Sequence, residues 1–199
     1  MTTEQKTIRL GRFCGSEIHK LMGHKGLGKN GETYIQDKVA EYFTGQPVTE
    51  EFTSAATTWG INHEPEAILH FESATGQKVS KGETIDNGII TGTPDGFIVG
   101  VCGFEIKCPY NSGNHLKNLL MQTPADLAYL RPEYYWQITA YMWLTGLEFW
   151  KFCSYDPRFK EEKRMLILNV PLEEGDLKLL QNRVAEAKLM FDNIIDKLK

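Results

Sequence analysis

The sequence predicts an α/β (α+β) fold, strands in a central sheet with helices on its faces, and three features of its 199 residues predict it. Two apolar runs, Gly96 to Val99 and Val101 to Cys108, meet at Gly100 and read as adjacent strands joined by a tight turn. Four segments repeat apolar residues at helical spacing. Two further strands, 148–155 and 164–170, flank the polar turn DPRFKEEK and belong beside the central sheet. The length suits one domain over 1–199 with a sizeable core, and 41% hydrophobic with 24% charged residues is an ordinary globular composition. No stretch approaches the roughly 18 apolar residues of a membrane span. MTTEQKTIRL lacks the apolar segment of a signal peptide, so a cytoplasmic location without a membrane partner is expected. A formal charge of −4 and a pI near 5.8 weigh mildly against nonspecific coating of nucleic acid, yet allow a basic channel within an acidic exterior. Cys14, Cys102, Cys108 and Cys153 form no CxxC pair and read as free buried thiols rather than a zinc or iron–sulfur site.

Taken in order, Ser16 reads as the N-cap of a short helix through Leu21 and Met22, with Glu17 in its first turn. Arg9, Arg12 and this helix start read either as an anion site or as a capped surface helix with two solvated arginines. The glycine-rich MGHKGLGKNG lacks the spacing of a nucleotide triphosphate loop and reads as a connector. Tyr34, Ile35, Val39, Tyr42 and Phe43 place a core-facing helix over 30–43, ended by Gly45. After a connector from Gln46 to Ala56, Thr57 or Thr58 caps a helix whose inward stripe includes Ile61, Ile68 and Phe71. Pro65 is expected to disturb this helix, placing Glu64 at a kink or starting the helix later. Residues 77–87 read as a short hairpin or extended segment leading through Ile89–Thr91 into the central strands. A polar helix over 111–122 carries His115 and Lys117, which face either a DNA backbone or solvent. The helix from Pro132 has a broad apolar surface, Tyr134, Tyr135, Ile138, Tyr141, Met142 and Leu144, and stops at Gly146. A closing helix over about 172–198 carries Leu177, Leu180, Val184, Leu189, Ile194 and Leu198 and is given structural work, with a possible subunit contact.

The chemistry concentrates in ITGTPDGFIVGVCGFEIKCP, residues 90–109. Strand side chains repeat with period two, so Glu105 and Lys107 project from one face beside Asp95. Burying charge without a partner or a metal is costly. Two readings follow: Asp95 and Glu105 share a divalent ion while Lys107 holds water or a phosphate oxygen, or Lys107 merely pairs with Glu105 at a sheet edge. Glu64 and Glu66 are near-equal candidates for a further carboxylate, and His63 and His70 lack the H-E-x-x-H order and read as surface or packing residues. Gln137, amid apolar residues, is either a core glutamine bonded to backbone or a residue orienting substrate or water.

Pro94-Asp95 followed by Glu105-Ile106-Lys107 resembles the PD-(D/E)xK nuclease signature, and PDG followed by EIKCP is similar to its form in the YqaJ-like viral recombinases, the family of phage lambda exonuclease. The resemblance covers roughly residues 7 to 150 and also takes in Arg9 with Ser16, Trp59-Gly60 before Glu64, and W-Q-x-x-x-Y-M-W-x-T-G around Gln137. Five elements in the family's order are a far more specific signal than a short charged motif. The resemblance implies a restriction-endonuclease-like core, a mixed sheet flanked by helices, with the site at the mouth of the central hairpin. It selects Glu64 over Glu66 as the helix-borne ligand and gives Gln137 a place in the catalytic site. It implies that Glu64, Asp95, Glu105 and the Ile106 carbonyl bind one or two magnesium ions, with manganese as a substitute, and that Lys107 positions the attacking water. It implies that Arg9, Ser16 and Thr93 hold a 5′ phosphate. The implied activity is a 5′ to 3′ exodeoxyribonuclease on linear double-stranded DNA, in a ring-shaped homotrimer working with a single-strand annealing protein in the cytoplasm of a bacterial host. Two rivals stand: a structure-specific or restriction-like endonuclease, and a catalytically silent DNA-binding or assembly module.

Overall fold

The computed structural model describes residues 7–48 and 54–199, so the connector read over 46–56 lies partly outside the described residues. In chain order the elements are β1 (Phe13–Cys14), a 3₁₀ helix (Gly15–Leu21), α1 (Gly28–Thr44), α2 (Ala55–Thr75), β2 (Val79–Lys81), β3 (Ile85–Asp86) and β4 (Ile90–Gly92). There follow β5 (Gly96–Ile98), β6 (Cys102–Lys107), α3 (Ser112–Leu119), α4 (Pro124–Leu130), α5 (Pro132–Thr145), β7 (Phe149–Tyr155), β8 (Met165–Pro171) and α6 (Glu174–Leu198). The fold class is the predicted one, but the strands form two sheets: five strands in the order β2-β5-β6-β7-β8, and three in the order β1-β4-β3. In the larger sheet β6 and β7 run parallel and the other neighbours antiparallel, which makes it mixed. Residues 77–87 make no hairpin: β2 pairs with β5 and β3 with β4, so this segment carries the chain from one sheet to the other.

The β5–β6 hairpin turns at Gly100, whose φ of +72° lies in the left-handed region that glycine adopts without strain. Its β6 strand is central, and alternation gives its two faces different work. Phe104 and Ile106 join Phe71, Cys153 and Tyr155 in the core beneath α2, while Glu105 turns toward α5 and bonds Gln137 there. Gly103 admits the Trp150 ring against the strand; a Cβ there would lie 2.2 Å from the indole. Helix α5 serves two cores at once. Ala140 packs with α1 and α6, whereas Tyr135, Ile138 and Met142 pack on β7 and β8, so the helix is apolar nearly all round.

Several local expectations are corrected. Ser54 caps α2, its Oγ accepting from the Thr57 N–H at 3.1 Å, three residues ahead of the expected threonines. The helix then continues through Pro65 to Thr75. Proline removes the donor that would serve the Ile61 carbonyl, and Ile61 is 62% exposed, off the inward stripe. Ser16 is no N-cap: Cys14 holds that position without a side-chain bond, and Ser16 is exposed inside the 3₁₀ helix. Tyr42 and Phe43 on α1 are about half exposed while Tyr34, Ile35 and Val39 are buried. On α6 the buried stripe runs Leu180, Val184, Ala187, Phe191, Ile195, and Leu189 and Leu198 face outward. His115 faces neither DNA nor solvent; it is buried, with Nδ1 at 2.9 Å from the Ser154 hydroxyl and Nε2 at 2.9 Å from the Lys163 carbonyl. All four cysteines are free, and no helix among the described residues is long and apolar enough to cross a membrane.

Candidate active site

The carboxyl end of β6 opens into a cleft of about 460 Å³ between α2 and α5, lined among others by Gly60, Glu64, Asp95, Ile106, Lys107 and Tyr134. Asp95, just before β5, ties the hairpin together: its Oδ2 accepts the Ile106 N–H at 2.8 Å. Glu64 reaches the cleft from α2, one turn after Gly60, while Glu66 points away and accepts the Tyr155 hydroxyl at 2.9 Å. The geometry therefore separates two glutamates that spacing alone left equal. Trp59 stacks on His63 at 3.7 Å and carries the Arg158 guanidinium at 4.2 Å on its ring. Arg158 also donates to the Tyr110 carbonyl at 2.9 Å, pinning the turn that follows β6.

Glu105 is fully buried, and its two oxygens are treated differently. Oε1 accepts from the Lys107 ammonium and from the Gln137 amide, the latter at 2.8 Å. Oε2 is buried without any hydrogen-bond partner. Gln137 thus bonds a carboxylate rather than backbone, and its Nε2 also donates to the Tyr141 hydroxyl at 3.1 Å. Lys107 further lies 5.2 Å from the Tyr134 ring centroid, within cation–π range. Burial, then Asp95 and Glu64, push the Glu105 carboxyl well above the ordinary carboxylate range, against the opposing pull of Lys107. Burial and Asp95 likewise raise Glu64, opposed by Lys107 and Lys81. Burial works against the charge of Lys107, but Glu105 and Asp95 outweigh it and raise its pKa.

Three mutually repelling carboxylates with one orphaned buried oxygen have the donor chemistry of a hard divalent cation, which takes oxygen ligands. Among the described residues no three His, Cys, Asp or Glu side chains close on one point. Magnesium is commonly held by one or two carboxylates together with water and substrate phosphates, and Glu64 and Asp95, which line the cleft, suit that mode.

Arg9, Ser16 and Thr93 do not line the cleft. They sit around the small sheet, where β1 runs parallel to β4 with Phe13 opposite Ile90 and Cys14 opposite Thr91. Ser16 lies two residues past β1, inside the 3₁₀ helix, and Thr93 one residue past β4. The Thr93 hydroxyl bonds that of Thr84 at 2.8 Å, and Arg9 lies where Cys14 and Glu17 favour its charge against the effect of burial. Tyr134 and Tyr141 were read only as apolar surface, yet one faces Lys107 and the other bonds Gln137. The available signal for Tyr141 was its position four residues after Gln137, on the same helix face.

Two solved structures share this fold. An alkaline exonuclease from Laribacter hongkongensis superposes with a TM-score of 0.87 at 24% identity, covering 99% of this chain and 96% of that one. A phage-related exonuclease from Haemophilus somnus 129PT gives 0.78 at 17% identity, covering 94% of this chain and 96% of that one. No curated protein matches the chain. The model of the YqaJ-like viral recombinase domain matches residues 5–148, a span that holds the small sheet, α2, the β5–β6 hairpin and α5, and the chain belongs to that family.

Proposed function

We propose that the protein is a magnesium-dependent 5′ to 3′ exodeoxyribonuclease that degrades one strand of linear double-stranded DNA for recombination by strand annealing, with residues 1–199 acting as one nuclease domain. The observation that carries this reading is the buried Glu105 carboxylate, with Lys107 and Gln137 on one oxygen and nothing on the other, beneath a cleft bearing Glu64 and Asp95. Membership of the YqaJ-like family supports it, and so does a fold shared with two proteins described as exonucleases.

In this reading Glu64, Asp95, Glu105 and the Ile106 carbonyl hold one or two magnesium ions, and manganese replaces them. A bound ion supplies Lewis-acid activation of water and neutralises the scissile phosphate. Lys107 orients the attacking water with its ammonium and offsets charge developing on the phosphate. Gln137 fixes the Glu105 carboxylate, so that the oxygen facing the reaction keeps its orientation. Arg9, Ser16 and Thr93 hold the 5′ phosphate and so favour entry at a DNA end. The proposed assembly is a ring-shaped homotrimer around the duplex, passing the exposed strand to a single-strand annealing protein in the host cytoplasm.

The test follows a linear duplex labelled on its 5′ phosphate, with and without magnesium, for the parent and Lys107→Ala, beside a closed circle. Magnesium-dependent release of labelled mononucleotide, absent in the variant and on the circle, is expected. Nicking of the circle would make the protein an endonuclease. Binding without cleavage of any substrate would make it a silent DNA-binding module.

A further inference from the structure

The carboxylate cleft and the segments that carry Ser16 and Thr93 beside the small sheet are linked along the chain by Thr93-Pro94-Asp95, and the Tyr141 side chain spans them as well. Tyr141 on α5 is 2% exposed and reaches both. Its hydroxyl accepts from the Gln137 amide at 3.1 Å and donates to the Thr93 carbonyl at 3.3 Å. Gln137 passes the connection on to Glu105 at 2.8 Å. The ring edge is wedged between two glycines that immediately precede Ser16 and Thr93. A Cβ on Gly15 would lie 2.5 Å from Tyr141 Cε1, and one on Gly92 would lie 2.3 Å from the same carbon. No Cβ could stand at either place, so the backbone at both glycines passes close against one ring edge. Packing alone asks only for a phenyl ring here. The hydroxyl adds two directed bonds in the interior, one toward each place, and buried phenols are held by such partners.

We infer that Tyr141 is a positioning residue that couples capture of a DNA 5′ end at the β1–β4 edge to cleavage in the β6 cleft, an inference that rests on the nuclease reading above. A phosphate drawing Ser16 and Thr93 together bears on the ring from the Gly15 and Gly92 side. The hydroxyl transmits that arrangement through Gln137 to the Glu105 carboxylate. End recognition then sets the rate of the chemical step as well as the affinity.

Tyr141→Phe keeps the ring and removes the bridge. The measurement is single-turnover nucleotide release, in magnesium, from duplexes ending in 5′ phosphate or 5′ hydroxyl, with binding of each duplex measured separately in calcium. In the parent the phosphate end is cut faster. In the variant the phosphate-to-hydroxyl rate ratio is expected to fall on the order of tenfold, the size of an ordinary coupling between sites, while affinity for the phosphate end stays within about twofold of the parent. A merely structural role would slow both ends equally and leave the ratio unchanged, which would overturn the inference. A parent that cuts both ends at equal rates also overturns the coupling while leaving the nuclease reading intact. A parent that cuts neither end removes the nuclease reading, and this inference with it.

Discussion

Lys38 and Glu41 on α1 form a buried ion pair, as Lys107 and Glu105 do on β6, yet the two pairs are completed differently. Lys38 donates to Glu41 Oε2 at 2.9 Å, its ammonium lies 5.4 Å from the Tyr34 ring centroid, and the Gly11 N–H gives the same carboxylate a second bond at 3.2 Å. That pair holds the chain leading into β1 against α1 and does not line the β6 cleft. Glu105 likewise takes two donors on one oxygen, but its Oε2 is buried and bare, and the like charges of Asp95 and Glu64 lie nearby. A buried charge pair costs desolvation whatever its role. What separates structural pairing from chemistry here is leftover bonding capacity beside a cleft.

The strongest test of that contrast exchanges the two lysines in turn. Lys107→Met is expected to lower DNA cleavage by about a thousandfold or more, at the upper end of what losing one preorganised charge contact costs, with circular dichroism unchanged. Lys38→Met should spare cleavage, although both substitutions break a buried pair. It strands Glu41 in the interior and costs about 3–5 kcal/mol of stability, the usual penalty for breaking a buried pair, while activity per folded molecule stays near the parent's. Loss of cleavage in both variants, at equal stability, would break the comparison.

Metal binding sharpens it without any turnover. A ligand at a hundred times its dissociation constant adds about 2.7 kcal/mol to stability, which for a chain of this size raises the melting temperature on the order of 5–10 °C. Calorimetry with magnesium should show that rise for the parent and for Lys38→Met, and lose it in Glu105→Gln. Equal rises in all three would remove Glu105 from the proposed ligand set. A smaller effect separates the two glutamates of α2. Glu66→Ala, losing the bond from Tyr155, should cost about 1 kcal/mol and leave cleavage intact, whereas Glu64→Gln should abolish it; denaturant melts and the end-release assay read the two quantities.

The smallest effect concerns a buried titrating group that does not line the cleft. Burial lowers the pKa of His115, outweighing the favourable Lys163 carbonyl and Asp156, so the folded protein keeps it neutral. The unfolded chain takes up that proton near pH 6.5. The contribution of His115 is therefore fully present above about 6.5 and declines as pH falls below it, by at most about 1.4 kcal/mol per pH unit. His115→Asn should flatten the stability profile between about pH 7 and 5, and an unaltered slope in pH-dependent denaturant melts would show that the group is not buried neutral.

The parts of the molecule legible from sequence are those whose side chains repeat regularly. Period two placed Glu105 and Lys107 on one face, and they do meet there. A lone polar residue in an apolar helix marked Gln137, whose amide bonds Glu105. Ligand roles beyond this geometry rest on the family's pattern and on the tests above. The second sheet was not legible because β1 and β3 have two residues and β4 three, too few to show any period. On α6 the 3.6-residue repeat let Leu189 and Leu198 pass for inward positions, while Phe191 and Ile195 take the buried stripe. Tyr141 escaped notice as a polar residue because its ring satisfies the apolar pattern, and the partner of its hydroxyl, the Thr93 carbonyl, lies 48 residues away.

The parallel pairing of β6 with β7 has a consequence for the cell that makes this protein. A parallel neighbour requires a long crossover, and this one spans α3, α4 and α5, so Glu105 and Gln137 are 32 residues apart. A ribosome delivers Glu64, Asp95, Glu105 and Lys107 well before the glutamine, and the flanking strand β7 later still. Closing a loop of that length costs entropy that only the completed sheet returns. Nascent chains, and fragments clipped within the crossover, hold the carboxylates without the frame that orients them. The carboxylates and the glutamine that bonds Glu105 therefore come together only after the crossover has been made.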